Sequence, residues 1–183
     1  MPKIVAQKTD WIKLGYTLFA EQGISGIVVE KMAKKLNCNK SSFYWHFKTK
    51  KVFINEIIDF WVLSDTEQII TLINTEKTAK QKFETLVALS FVKDPYLDFI
   101  FYLKRYAQKE KTIQNIIDKI DHQRIEFVAD LLQEMEFSKE EAKVKSTLFY
   151  KYLIGYHEMI RYKQQSKSYV KEVLAEINHF IKY

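Results

Sequence analysis

Glycine, proline and cysteine are nearly missing from this chain: its 183 residues hold four glycines, two prolines and one cysteine. With Pro2 at the start, Pro95 is the one proline that punctuates the rest. β-Sandwiches, barrels and propellers need Gly, Pro or Asn turns about every ten residues, so this composition excludes them. There is no phosphate-cradling glycine loop, no G-x-S-x-G elbow and no G-x-G-x-x-G. A lone Cys38 rules out an intrachain disulfide and a thiolate metal cluster. His46, His122, His157 and His179 are scattered, without H-E-x-x-H or an i, i+4 pair, so no metal or cofactor is expected. No paired base and nucleophile stand at a usable spacing, and the chain is not expected to be an enzyme. The longest uncharged apolar stretches, Leu86 to Val92 and Phe99 to Leu103, fall far short of the roughly 20 residues of a membrane span. Residues 1–11 lack the apolar stretch of a secretory leader. The expectation is a cytoplasmic protein with no membrane partner.

What the chain does have is apolar surface, 47% of residues with 15% aromatic, enough to offset the entropy of ordering. With turn residues so few, an all-α protein follows. Its charge is +6, and the location matters more than the size. Residues 1–51 carry ten lysines against Asp10, Glu21 and Glu30, or +7, which leaves −1 for the remaining 132 residues. The basic excess therefore belongs wholly to the first quarter, which is the candidate for contact with a polyanion.

Apolar spacing predicts about nine helices. Trp11, Leu14, Gly15, Leu18 and Phe19 form one amphipathic stripe, ended by Gly23. Val29, Met32, Ala33 and Leu36 form a second. Asn39 is a good N-cap for a two-turn segment, Lys40 to Phe47, with Phe43 and Phe47 on one side as core. Two short helices after a longer one give the helix-turn-helix layout. Beyond it, Phe53, Ile57, Trp61 and Ile69 predict a helix from Lys50 to about Asn74, and Thr78-x-x-Gln81 caps another to Lys93. Asp94-Pro95 reads as N-cap and first turn of a helix over 96–108, apolar nearly all round and so expected in the interior of the C-terminal body. A seventh helix runs from Ile113 to Met135. Ser138-x-x-Glu141 opens an eighth that reaches Tyr162, and a ninth spans 168–181.

The stretch Trp11 to Phe53 resembles the DNA-binding domain of the tetracycline-repressor (TetR) family of bacterial transcription regulators. Ser42-Phe-Tyr-Trp-His-Phe47 followed by Lys50 carries most of the resemblance, supported by Phe19-x-x-x-Gly23 and Met32-Ala33-x-x-Leu36. The similarity covers about a quarter of the chain. It implies a helix-turn-helix DNA-binding domain over 1–50 and a helical ligand-binding and dimerisation domain over 51–183. Two positions depart from the family pattern. Val28 stands where many members cap the second helix with threonine, leaving Ser25 as a possible substitute; Ser41 stands where many have glycine.

A recognition helix offers its first turn to base edges in the major groove while cations meet phosphates. Lys40, Ser41 and Ser42 occupy that turn; Tyr44 and Trp45 offer a phenol and a ring; His46, Thr49 and Lys50 flank them as phosphate contacts. For Tyr44, Trp45 and His46 the alternative is packing against the first helix. One such reader is too small to specify a site, so a homodimer on a palindromic operator is expected. Phe149, Tyr152, Leu153, Tyr156 and Ile160 form one stripe on the eighth helix, with Leu174 and Ile177 on the ninth, and we assign these to the dimer interface. Leu148, Ile154 and Met159 form a second stripe, so one side faces inward and the other meets a twin.

Aromatic residues Phe91, Tyr96, Phe99, Tyr102, Tyr106, Phe127 and Tyr150, with His157, are either plain core or the lining of a pocket. The resemblance implies that a small apolar or amphipathic effector there releases double-stranded DNA. The function expected is a ligand-released repressor. The rival is a helical module whose basic end meets an acidic protein or a membrane surface.

Overall fold

A computed structural model describes residues 6–182, so Lys3 and the first five residues of the segment read for a leader lie outside the described residues. Among the described residues there is no strand. The helices are α1 (Lys8–Gln22), α2 (Val29–Lys35), α3 (Lys40–Phe47), α4 (Lys50–Val62), α5 (Gln68–Ile73), α6 (Ala79–Ser90), α7 (Phe99–Ala107), α8 (Lys111–Glu134), α9 (Lys139–Ile160) and α10 (Tyr169–Ile177). The helix expected over 50–74 is α4 and α5 joined by a π-turn at Leu63–Glu67, which restores about nine rods. The chain divides into two compact units, one running to Asp65 with Pro95–Gln114, the other holding Thr66–Asp94 and the residues from Asn115 onward.

The first unit is therefore larger than residues 1–50. α1 packs on α2, α3, α4 and α7. Its core is aromatic: Trp11, Phe19, Phe43, Phe47, Phe53, Trp61 and Phe99 are all at most 2% exposed. Gly15 makes the α1–α4 approach possible, since a Cβ there would lie 2.4 Å from Phe53 Cζ. Gly23 ends α1 with φ 62°. The α2–α3 connection is a Schellman turn: Asn37 is left-handed (φ 50°), its N–H donates to Lys34 O, and Cys38 N–H donates to Ala33 O. Val28 caps α2 without a side-chain hydrogen bond, and the Ser25 hydroxyl donates back to Gln22 O at 2.7 Å.

The stretch 96–108 departs most from expectation. Asp94-Pro95 is not a cap; residues 95–98 form turns, and the helix begins at Phe99 with Tyr102 N–H donating to Asp98 O. α7 lies on α1 in the first unit, not inside the body, and Tyr96 and Phe101 stay exposed. Tyr16 is the reason: its ring sits 4.6 Å from Tyr96 and 4.7 Å from Phe99, centroid to centroid.

In the second unit, Phe83, Phe91, Leu132, Phe149, Val173 and Ile177 centre one apolar core. Thr78 caps α6, and Ser138 with Glu141 forms the reciprocal box on α9. Those hydrogen bonds to Ser138 hold the Glu141 carboxyl below its ordinary pKa. α9 ends at Ile160, short of Tyr162, and α10 at Ile177, short of Ile181, which still reaches the core. α8 closes on Glu136, a left-handed residue (φ 69°) whose successor Phe137 donates to Leu132 O in another Schellman turn. A side chain there is strained, so Glu136→Gly is expected to stabilise the protein by about 1 kcal/mol, read as a higher urea midpoint. An unchanged or lower midpoint would contradict this account of the turn.

Candidate nucleic-acid interface

α3 is held by two rings. Phe43 lies 5.3 Å from Trp11, 5.2 Å from Phe47 and 5.0 Å from Phe53, and Phe47 lies 4.7 Å from Phe53. Because these residues face inward at i and i+4, Lys40, Ser41, Tyr44 and Trp45 face outward. Asn39 Oδ1 accepts from Ser41 N–H at 3.0 Å and fixes the first turn. Trp45 is 76% exposed, its ring edge-on to His46, while Tyr44 is half exposed and edge-on to Phe43.

Ser42 and His46 are turned elsewhere. His46 Nε2 lies 2.9 Å from Ala6 O, and Ser42 Oγ donates to the same carbonyl at 3.4 Å while accepting from Trp11 Nε1. Burial pushes the Cys38 thiol above its ordinary pKa, against the Ala6 N–H, which lowers it. Residues 38, 42 and 46 thus form a strip that grips the chain just before α1. The geometry places Ser42 and His46 in that strip. Sequence spacing alone had no means to reveal a partner 36 and 40 residues away.

Thr49 accepts from Val52 N–H at 3.2 Å and so caps α4, and Thr49 and Lys50 are both exposed beside α3. Lys48, unremarked in the sequence, is exposed and left-handed (φ 59°) between the two helices. Among the described residues, Lys8 has Glu56 as a carboxylate neighbour (2.6 Å), Lys40 has Glu30 (3.5 Å) and Lys51 has Glu110 (3.7 Å). The outward row on α3, the α4 cap and the surrounding lysines can meet phosphates and base edges together.

The eight aromatic-site residues do not gather in one unit. Tyr96, Phe99, Tyr102 and Tyr106 belong to the first, where Phe99 is buried against Phe19 and Trp61 and Tyr102 covers Gly23. Phe91, Phe127, Tyr150 and His157 belong to the second. There Phe91 is fully buried beside Phe149 and Tyr156, and His157 Nε2 lies 2.7 Å from Ser90 O. Tyr150 donates to Asp121 at 2.6 Å. Burial pushes its phenol well above the ordinary range, with Asp121 adding to the rise and Arg124 opposing it.

The stripe assigned to the dimer interface divides by burial within the second unit. Phe149 and Ile177 are buried core, and Tyr152, Leu153, Tyr156 and Leu174 pack against it. Tyr152 is further held by a hydrogen bond to Glu176. Ile160 is half-buried at the end of α9. Leu148, Ile154 and Met159 are left in solvent, as is Val144, which shares a face with Leu148 and Met159, and Gly155 is open beside them.

Residues 12–57 match the model of the bacterial regulatory proteins of the tetR family. The biofilm operon icaADBC HTH-type negative transcriptional regulator IcaR of Staphylococcus aureus is 27% identical over 136 residues, 72% of this chain and 68% of that protein. Two solved structures share the fold. A putative transcriptional regulator from Saccharomonospora viridis, in complex with choline, has a TM-score of 0.81 at 14% identity over 96% of this chain and 95% of that one. A putative fatty acid metabolism regulator from Clostridium perfringens has a TM-score of 0.71 at 21% identity over 94% and 98%.

Proposed function

The chain belongs to the TetR family of transcriptional regulators, and on that premise we propose that it is a cytoplasmic repressor, a homodimer on a palindromic operator released by a small effector. The observation that carries this reading is the outward row Lys40, Ser41, Tyr44 and Trp45 on a helix whose inner side is locked by Phe43 and Phe47. Lys48, Thr49 and Lys50 supply phosphate contacts next to it. The exposed stripe on α9 is the surface that meets the twin, through a four-helix bundle with α10. The effector is a small apolar or amphipathic molecule held in the second unit near Phe91, Phe127, Tyr150 and His157. A relative of this fold is known with choline, which supports a small ligand as the class. Release needs only a few kcal/mol of differential affinity between two dimer conformations.

Two variants test the division of labour on α3 and α4. Lys40→Ala is expected to weaken operator binding by about 1–3 kcal/mol and relax one base position. Lys50→Ala is expected to weaken all sequences alike and to flatten the dependence of log K on log salt by about one unit. Fluorescence anisotropy on specific and random duplexes, over a salt series, reads both. Identical behaviour of the two variants would reject the division. Absence of binding to any duplex at low salt would reject the regulator and favour the protein- or membrane-surface module.

A further inference from the structure

Among residues 22–55 there are seven lysines (31, 34, 35, 40, 48, 50 and 51) and a single carboxylate, Glu30. An acid in the middle of a surface that meets phosphates opposes non-specific binding, which scales with the cations that neutralise phosphate. Its position is fixed. Val29, Met32 and Ala33 bury the inner side of α2, so Glu30 points outward, and its Oε1 lies 3.5 Å from Lys40 Nζ in the first turn of α3. Both side chains remain well exposed, at 64% and 60%. The reading head therefore presents an acceptor and a donor side by side.

We propose that Glu30 and Lys40 read one G·C base pair together, Lys40 donating to guanine O6 and N7 and Glu30 accepting from the cytosine N4 amine. This inference rests on the reading that α3 enters the major groove. There a G·C pair sets two acceptors beside one donor, the complement of the pair on the protein. An A·T pair suits it less, because the adenine N6 donor separates its two acceptors, N7 and O4, which Lys40 needs side by side. Glu30 also adds selectivity against the backbone. To reach a phosphate Lys40 must leave its carboxylate, whereas on the G·C pair both charges keep a partner.

The experiment is selection of bound sites from a randomised duplex pool by the full-length protein and by Glu30→Gln, with sequencing of what each retains. The wild type is expected to fix a G·C pair at one position of each half-site. Glu30→Gln is expected to lose that preference by about tenfold or more, to keep the others, and to bind random duplex several-fold tighter. The exposed position leaves folding intact, checked by an unchanged thermal midpoint. Retention of wild-type selectivity at every position, or an equal change on all sequences, overturns the proposal. If the wild type enriches no sequence, the regulator reading itself fails and takes this inference with it.

Discussion

Leu148→Glu combined with Met159→Glu is expected to yield monomers in sedimentation and to cut affinity for an operator-length duplex by about 10²–10⁴-fold. The loss comes from avidity: two linked reading heads turn the second contact into an intramolecular event, and a monomer forfeits that gain without changing any contact to DNA. Leu148 is 45% and Met159 71% exposed, and both belong to one stripe with Val144 and Gly155. Charges there cost the folded monomer little, because these side chains are already in water. In a twin interface the same charges would be buried opposite their own copies, at several kcal/mol. Glutamate at Tyr152 would be uninformative by comparison. That ring packs 5.5 Å from Phe91 and its hydroxyl holds Glu176, so the variant would unsettle the core itself. A Leu148/Met159 double variant that stays dimeric would remove α9 from the interface.

The choice between the two stripes on α9 shows where sequence reading reached its end. Both are apolar, so the sequence reports apolar residues on two sides of the helix without saying which side the rest of the chain covers. That is decided by distant residues such as Phe83 and Phe91, whose rings lie 5.6 Å from Phe149. Local chemistry was legible throughout. Asn39, Thr78 and Ser138 cap where their spacing predicts, because a cap needs only its own first turn. Asp94-Pro95 carries an equally good local signal, yet the chain turns through 95–98 so that Tyr96 and Phe99 meet Tyr16. Tertiary contact overrode the cap. The same holds at the reading head: the inward role of Phe43 and Phe47 follows from i, i+4 spacing, but the diversion of Ser42 and His46 to Ala6 depends on a partner that no pattern announces.

Phe43→Ala is expected to abolish duplex binding and to destabilise the first unit by about 3–5 kcal/mol, the range for emptying a buried phenylalanine site. Phe43 is fully buried, and its ring lies within 5.4 Å of Trp11, Tyr44, Phe47 and Phe53. α3 has only eight residues, too short to persist without packing, so its geometry depends on those rings. A loss of this size is a large part of the roughly 5–15 kcal/mol that keeps a domain folded. Urea denaturation followed by tryptophan fluorescence measures it, Trp11 being buried against the substituted ring. Trp45→Ala is the matched control. That side chain is 76% exposed, so its removal is expected to shift stability by no more than about 0.5 kcal/mol while still weakening duplex binding. The pair separates scaffold from reader on one helix: Phe43 acts through stability, Trp45 through contact. Should Phe43→Ala hold the duplex at wild-type affinity, α3 would not be the element that enters the groove.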